Sequence, residues 1–124
     1  VLADCLSDAF PFVSPVYLSK SYRVPLMIEE LHNCAVELPA GPSGDPTKVL
    51  PHVICCQEVD MAEDILKGLE GYQVETMLKT GDHNDGLAIF YRGFDMVALK
   101  KDNYIGLDGL HRTNRVYLMM VIQC

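Results

Sequence analysis

The chain has 124 residues, of which 49% are hydrophobic, and its formal net charge is −7. This length and apolar content predict one globular domain over residues 1–124 rather than a disordered tail. The acidic balance argues against a broad basic surface for nucleic-acid phosphates, and no apolar run approaches the roughly 20 residues that span a membrane.

The first part of the chain predicts a strand and a helix that are separated and followed by irregular segments. Residues 1–6 predict the end of a strand, and the Pro-rich stretch 10–17 predicts an irregular connection. Apolar side chains then recur at helical spacing over 21–38, with Pro25 in the first turn. The segment 39–48 contains three prolines and two glycines and therefore predicts a surface loop.

A buried strand and a second helix are predicted next. Residues 52–59, HVICCQEV, form an unbroken apolar run that turns polar at its carboxyl end, as is typical of a strand buried on both faces. Asp60 and Glu63 are then expected to cap a helix whose apolar stripe continues to Leu69 and stops at Gly71.

The remainder alternates with a period near two, which predicts four strands at 72–79, 86–92, 94–100 and 114–123. The whole order is strand, helix, strand, helix and four strands. It predicts an α/β (α+β) fold in which helices cover one face of a mixed sheet.

Five cysteines include the adjacent pair Cys55 and Cys56 but no C-x-x-C pair. An odd number without that spacing indicates neither a disulfide framework nor a zinc site. We therefore expect reduced, buried, structural thiols, which are typical of an intracellular protein.

One carboxylate stands out from the residues alone. Gln57 and Glu58 lie where the apolar strand emerges, at the end of a strand where open sheets collect their ligands. A carboxylate among apolar neighbours is costly unless it is paired or bound to a cation, so Glu58 is a candidate metal ligand. The alternative is that Glu58 simply reaches solvent or caps the next helix.

The stretch ICCQEVD, 54–60, resembles the Leu-Gln-Glu-Val motif of the endonuclease/exonuclease/phosphatase superfamily. Four further stretches are similar, in order, to segments of its deadenylase-like branch: VLADCL (1–6), YRVPLMIEEL (22–31), DGLAIFYR (85–92) and TNRVYLMMVIQC (113–124). That branch includes the carbon catabolite repressor deadenylases, nocturnin, the Angel proteins and the 2′-phosphodiesterases. The resemblance concerns only the amino-terminal part of such domains, and it implies the first half of a two-sheet α/β sandwich.

The resemblance also implies roles for individual residues. Glu58 matches the catalytic magnesium ligand, with manganese as an alternative ion. Lys79 falls near a lysine that contacts substrate phosphate, although a solvated strand-end lysine is the alternative. Asp85 and Gly86 match an Asp-Gly pair that we interpret first as a turn and second as a wall of the substrate cleft. Asn114 matches an asparagine in related chains, with a structural role as the alternative.

The implied activity is magnesium-dependent phosphodiester hydrolysis, foremost by a 3′–5′ exoribonuclease acting on poly(A) or similar RNA. The alternatives are a small-molecule phosphatase or 2′-phosphodiesterase on the same fold, and a noncatalytic, truncated interaction module. Both ends of the chain are interpreted as cut, and the later family motifs do not occur before Cys124. We therefore expect this chain alone to be inactive. The resemblance implies RNA or a nucleotide-like substrate as the partner, no membrane, and an intracellular location, first the cytoplasm, with mitochondrion and nucleus as alternatives.

Overall fold

A computed structural model describes residues 10–38, 47–81, 84–109 and 112–123. Within these ranges, the helices are α1 (Pro15–Leu18), α2 (Lys20–Asn33) and α3 (Ala62–Leu66). The strands are β1 (Val36–Leu38), β2 (Thr47–Val49), β3 (Val53–Val59), β4 (Gln73–Leu78), β5 (Gly86–Tyr91), β6 (Asp95–Ile105) and β7 (Arg112–Gln123). None of the described helices is long and apolar enough to cross a membrane.

In the described part of the chain, the strands form three sheets, and all of the pairings are antiparallel. One sheet has the order β3-β5-β4, and β1–β2 and β6–β7 form two-stranded ribbons. Because β3 and β4 both run antiparallel to β5, they run parallel to each other. The carboxyl ends of β3 and β4 therefore lie at the same end of the sheet as the amino end of β5.

The core lies between the three-stranded sheet and the helices α2 and α3. Ile65 of α3 and Phe90 of β5 are fully buried at its centre, and partly buried side chains of α2 pack against it. At Gly68, an added Cβ would lie 2.4 Å from Ile28 Cδ1, so a side chain there would push α2 away from the turn after α3. Both helices thus cover one face of the sheet. The predicted α+β class is confirmed, whereas the strand pairings among the described residues are antiparallel rather than mixed.

The predicted helix over 21–38 is too long. It ends at Asn33, and residues 36–38 form β1 instead, in which Val36 pairs with Val49 of β2. The ribbon forms because the pairing of Val36 with Val49 overrides the helical periodicity that Cys34, Ala35 and Leu38 continue, and β-branched valines favour a strand. The ribbon also takes the end of the predicted 39–48 loop, the rest of which lies outside the described residues, as does the predicted first strand.

The predicted strand at 52–59 is present as β3, but it is not buried on both faces. Val59 is its one fully buried residue, because β3 lies at the edge of the described sheet while β5 occupies the centre. The expectation of buried thiols fails for the same reason at Cys55, which is exposed, whereas Cys56 is half-buried. Cys34, after α2, is also exposed. The remaining two cysteines lie outside the described residues.

The predicted capping pair at the start of α3 is also wrong. The residue that precedes the helix is Met61, and no side chain caps its first turn. The Asp60 side chain is buried instead, and its Oδ2 lies 3.8 Å from the Lys20 ammonium of α2. Gly71 does end the turn that follows α3, with a φ of 76° that favours glycine. All four later strands are present, and β6 extends further than predicted, to Ile105.

Candidate functional site

Three of the predicted site residues lie at one end of the three-stranded sheet, where β3 and β4 end and β5 begins. Glu58 is the second-last residue of β3, Lys79 directly follows β4, and Asp85 directly precedes β5. These residues, together with Gly86, are called the Glu58 rim. The rim exists because the two outer strands end where the central strand begins.

Glu58 has an unusual backbone within the part of the chain that the structure describes. Its φ is 53°, and no other described non-glycine residue has a positive φ. Gln57 pairs with Leu87 and Val59 with Gly86, so Glu58 is the extra residue of a β-bulge. A residue in this region costs about 1 to 3 kcal/mol and persists where surrounding structure imposes it, often at functional sites. The bulge presents an exposed carboxylate beside a buried core residue.

Lys79 and Asp85 interact directly with each other. The Lys79 ammonium donates a short, charged hydrogen bond to Asp85 Oδ2, and the Lys79 backbone N–H donates to the Asp85 carbonyl at 3.0 Å. The Asp85 side chain is only 8% exposed, whereas the Lys79 side chain is 27% exposed. The two residues thus close the β4–β5 connection. The turn interpretation of Asp85 agrees with this geometry, and a contact of either residue with substrate remains a prediction.

Asn114 lies apart from these residues, exposed on β7, where it lines a separate cavity of about 670 Å³ at the end of the β6–β7 hairpin. A buried residue that the sequence analysis missed connects this hairpin to the rim. Asn103 Nδ2 donates to Thr80 Oγ1 at 3.2 Å and to the Thr113 carbonyl at 2.9 Å. Asn103 was part of a predicted polar loop, so nothing in its local sequence distinguished it.

A cleft of about 500 Å³ lies between the three-stranded sheet and the hairpin; Gln57, the residue before Glu58, lines it, and Glu58 does not. Gln57 and Leu87 form its floor on the sheet side. On the hairpin side, the rings of Tyr104 and Tyr117 meet edge to face with centroids 5.4 Å apart, and the Lys100 ammonium lies 5.9 Å from the Tyr117 ring. The cleft therefore combines aromatic surface, an amide and a cation, which suits a planar ligand with a negative group.

The donor set of the rim fits magnesium better than zinc. Over the described residues, no group of three or more His, Cys, Asp or Glu side chains could hold a metal. Glu58 supplies one exposed carboxylate, while the carboxylate of Asp85 is engaged by Lys79. Magnesium is commonly held by one or two carboxylates together with water and substrate oxygens, whereas zinc takes three or four protein ligands. Within the described residues, the rim thus presents one exposed carboxylate, a donor of the type that magnesium prefers.

Several described groups that do not belong to the Glu58 rim have shifted pKa values with an identified cause. Burial raises the pKa of the Cys56 thiol, which is inside β3, and that of the Tyr72 phenol, which is at the opposite end of the sheet. A hydrogen bond from Lys67 lowers the pKa of Asp64 on the surface of α3. These groups do not form a cluster, so none is a candidate acid or base for the Glu58 rim.

No family profile matches the chain, and no curated protein sequence matches it. Solved structures do match. ANGEL2, a 2′,3′-cyclic phosphatase, is 22% identical, with a TM-score of 0.70 over 99% of this chain and 34% of that one. Its complex with adenosine-2′,3′-vanadate is also 22% identical, with a TM-score of 0.68 over 98% of this chain and 34% of that one. The catalytic domain of human nocturnin with bound sulfate is 23% identical, with a TM-score of 0.61 over 88% of this chain and 39% of that one.

These comparisons show the fold of the chain. It spans about a third of the length of the ANGEL2 structure, 34%, and is covered almost completely itself. ANGEL2 and nocturnin are both members of the deadenylase-like branch that the sequence motifs resemble. The resemblance is therefore confirmed at the level of the fold, including the partial sandwich that it implied.

Proposed function

From the fold shared with ANGEL2 and nocturnin, we propose that this chain is the metal-binding part of a magnesium-dependent phosphodiester hydrolase. The first candidate activity is 3′–5′ exoribonuclease cleavage of poly(A) or similar RNA. The observation that carries the proposal is Glu58, an exposed carboxylate held in a left-handed conformation at a β-bulge. Such a conformation is costly, and an ordinary surface glutamate has no need of it.

In this proposal, Glu58 binds the ion and fixes its position relative to the sheet. A bound magnesium would polarise the scissile phosphate and favour formation of the attacking hydroxide. Glu58 itself neither donates nor accepts a proton in this scheme. Its contribution is a negatively charged carboxylate in a fixed orientation, and the β-bulge determines that orientation.

Lys79 is the candidate phosphate contact at the same edge. Its ammonium donates to the Asp85 carboxylate, and 27% of its side chain is exposed. The Lys79–Asp85 pair adds little net charge to the rim, so Lys79 would orient a phosphate more than attract it. Asn114, on the hairpin joined to Thr80 through Asn103, is the candidate for a contact further from the ion.

A second candidate is removal of a 2′,3′-cyclic phosphate from an RNA end or a nucleotide. One observation favours it: ANGEL2 is described as a 2′,3′-cyclic phosphatase and has been crystallised with adenosine-2′,3′-vanadate. The aromatic cleft lined by Gln57, Tyr104 and Tyr117 suits a nucleoside in either case. The two activities differ in their products and can be separated in one experiment.

The experiment uses the complete natural protein that carries residues 1–124. It is incubated with oligo(A) ending in a 3′-hydroxyl and with the same oligonucleotide ending in a 2′,3′-cyclic phosphate, with Mg²⁺, with Mn²⁺ or with a chelator. An exoribonuclease releases adenosine monophosphate from the first substrate, whereas a cyclic phosphatase leaves the chain length unchanged and removes the phosphate from the second. Absence of turnover with both substrates and both ions would favour the noncatalytic module.

The variant that tests the metal ligand is Glu58→Gln, which keeps the shape of the side chain and removes its charge. We expect turnover to fall about a hundredfold or more, which corresponds to about 3 kcal/mol of lost transition-state stabilisation. Glu63→Gln is the matched control, because Glu63 is an exposed glutamate in the first turn of α3 and does not belong to the rim. The metal assignment is wrong if Glu58→Gln and Glu63→Gln turn over substrate equally fast.

A further inference from the structure

We propose that Gly86, held in place by the Lys79–Asp85 pair, is a positioning residue for Glu58: it sets the strand register that keeps the Glu58 carboxylate at the rim. The inference rests on the proposed role of Glu58 as a metal ligand. It adds that the direction of this ligand is determined by a residue on the neighbouring strand, which does not itself touch the metal or the substrate.

The bulge depends on where Gly86 pairs. On β3, the consecutive paired residues Gln57 and Val59 are two positions apart. Their partners on β5, Leu87 and Gly86, are adjacent. Glu58 is left outside the ladder by this mismatch, with its φ at 53°. If Gly86 shifted away from Val59, the pairing could return to a regular ladder, and Glu58 would relax to an extended conformation. Its side chain would then point to another direction.

Gly86 is held from its other side by strand β4. It pairs with Leu78 as well as with Val59, and it is buried. A Cβ at this position would lie 2.1 Å from the Met77 carbonyl oxygen and 2.6 Å from Leu78 Cα. Both contacts are with backbone, so no side-chain rotation could relieve them. Any residue larger than glycine must therefore separate β4 from β5 at the rim.

The Lys79–Asp85 pair anchors the residue before Gly86. Lys79 is fixed to Asp85 by two bonds, one from its ammonium to Oδ2 and one from its backbone N–H to the Asp85 carbonyl. These bonds tie the end of β4 to the start of β5. Gly86 therefore directly follows a residue that is held by the Lys79–Asp85 ion pair, and it packs closely against the backbone of Met77 and Leu78. Outer-shell residues that contact a metal ligand and orient it typically change metal affinity by 10- to 100-fold, and Gly86 acts on Glu58 through its pairing with the adjacent Val59.

The test compares two glycine-to-alanine variants of the complete natural protein. Gly86→Ala introduces the backbone clash at the rim. Gly68→Ala is the matched control, because its Cβ would also clash, but with the Ile28 side chain at the packing of α2 against α3, away from the rim. For each variant we would measure Mn²⁺ affinity from the electron paramagnetic resonance signal of the free ion, the Mn²⁺ concentration for half-maximal turnover, and turnover at saturating Mn²⁺.

We expect Gly86→Ala to weaken Mn²⁺ binding about tenfold and to raise the half-maximal concentration in parallel, with turnover partly recovered at high Mn²⁺. Gly68→Ala should leave both metal readouts unchanged even if it lowers stability. A merely structural role would reduce the amount of active Gly86→Ala protein without changing the Mn²⁺ dependence, and that result would overturn the inference.

A second variant covers the case in which Gly86→Ala does not fold. Asp85→Asn keeps the side-chain shape and removes the charge that holds Lys79, and we expect Mn²⁺ affinity to fall about threefold, below the 10- to 100-fold typical of residues that contact a ligand directly. Unchanged affinity in Asp85→Asn would then reject the inference. Failure of the proposed function is distinguishable, since in that case Glu58→Gln itself would bind Mn²⁺ as tightly as the unmodified protein.

Discussion

The two ends of the three-stranded sheet contrast in how they use their polar groups. At the end opposite the rim, here called the Tyr91 end, the ladder is regular, and Tyr91 pairs with both Val53 and Gln73. Its hydroxyl also donates to Gln73 Oε1 at 3.0 Å. The polar atoms of Tyr91 and Gln73 at this end thus form hydrogen bonds within the protein.

The same holds for the residues just beyond the Tyr91 end. The Tyr72 hydroxyl donates a short hydrogen bond to the Pro51 carbonyl, and the Arg92 guanidinium stacks over the Tyr72 ring with its carbon 5.0 Å from the ring centroid. Arg92 Nη2 also donates to the Leu50 carbonyl at 2.9 Å. Arg92 and Tyr72, which could serve as binding residues in another setting, here stabilise the connection between β2 and β3.

At the rim, one polar group is not used in this way. Lys79 and Asp85 bond to each other, as the groups of the Tyr91 end do, but Glu58 is exposed on a bulge at a φ that disfavours it. Two ends of one sheet thus share strands and core but differ in strain. The local cost in backbone energy, rather than the number of polar residues, is what sets the rim apart as the candidate functional end.

The largest change in unfolding stability is expected when the Lys79–Asp85 ion pair is broken, because this pair is less exposed than an ordinary surface ion pair. Lys79→Met leaves the nearly buried Asp85 carboxylate without its ammonium, and we expect the free energy of unfolding to fall by about 2 to 3 kcal/mol. Lys101→Met is the control, because the Lys101–Glu75 pair is more exposed, at 42% and 24%, and should contribute less than about 1 kcal/mol. Urea denaturation measures both changes. Equal losses in the two variants would mean that Lys79–Asp85 is no more than a surface pair.

A smaller effect is expected at the Tyr91 end. Tyr72→Phe removes the donor to the Pro51 carbonyl and keeps the ring under Arg92, so we expect a loss of about 1.5 kcal/mol in unfolding free energy. Turnover and metal dependence should not change, because this end contributes nothing to the rim. Thermal denaturation and the oligo(A) assay measure the two quantities. A variant with normal stability but altered turnover would break the division between the two ends.

The sequence predicted much of this sheet, because alternation with a period of two is a property of the local chain. It predicted β4, β5 and β7 nearly as they are, and the polar end of β3 correctly marked the position of Glu58. The boundary between α2 and β1 was wrong because the pairing of Val36 with Val49 is made across an intervening loop. Burial of β3 was wrong because the order of strands in a sheet is not encoded in any one strand.

The chemistry of the rim was less predictable than its position. Glu58 was selected for its motif, but its left-handed backbone arises from the register against Gly86, which only the paired strands reveal. The sequence suggested a phosphate contact for Lys79 and a turn, or else a cleft wall, for Asp85, and their mutual ion pair depends on the β4–β5 connection. Asn103 gave no local signal, because its partners Thr80 and Thr113 belong to other elements.

The smallest expected effect concerns the strain at Glu58 and has the opposite sign from the others. Glycine adopts a positive φ without a Cβ clash, whereas alanine keeps most of the cost that glutamate has. We therefore expect Glu58→Gly to be more stable than Glu58→Ala by about 1 kcal/mol in urea denaturation, even though both lack the carboxylate and both should lose turnover. At Gln57, which has regular pairing with Leu87, the same two substitutions should rank in the reverse order, because glycine costs conformational entropy in a strand. If alanine were the more stable substitution at both positions, the bulge would hold no strain, and the distinction between the rim and the Tyr91 end would lose its physical basis.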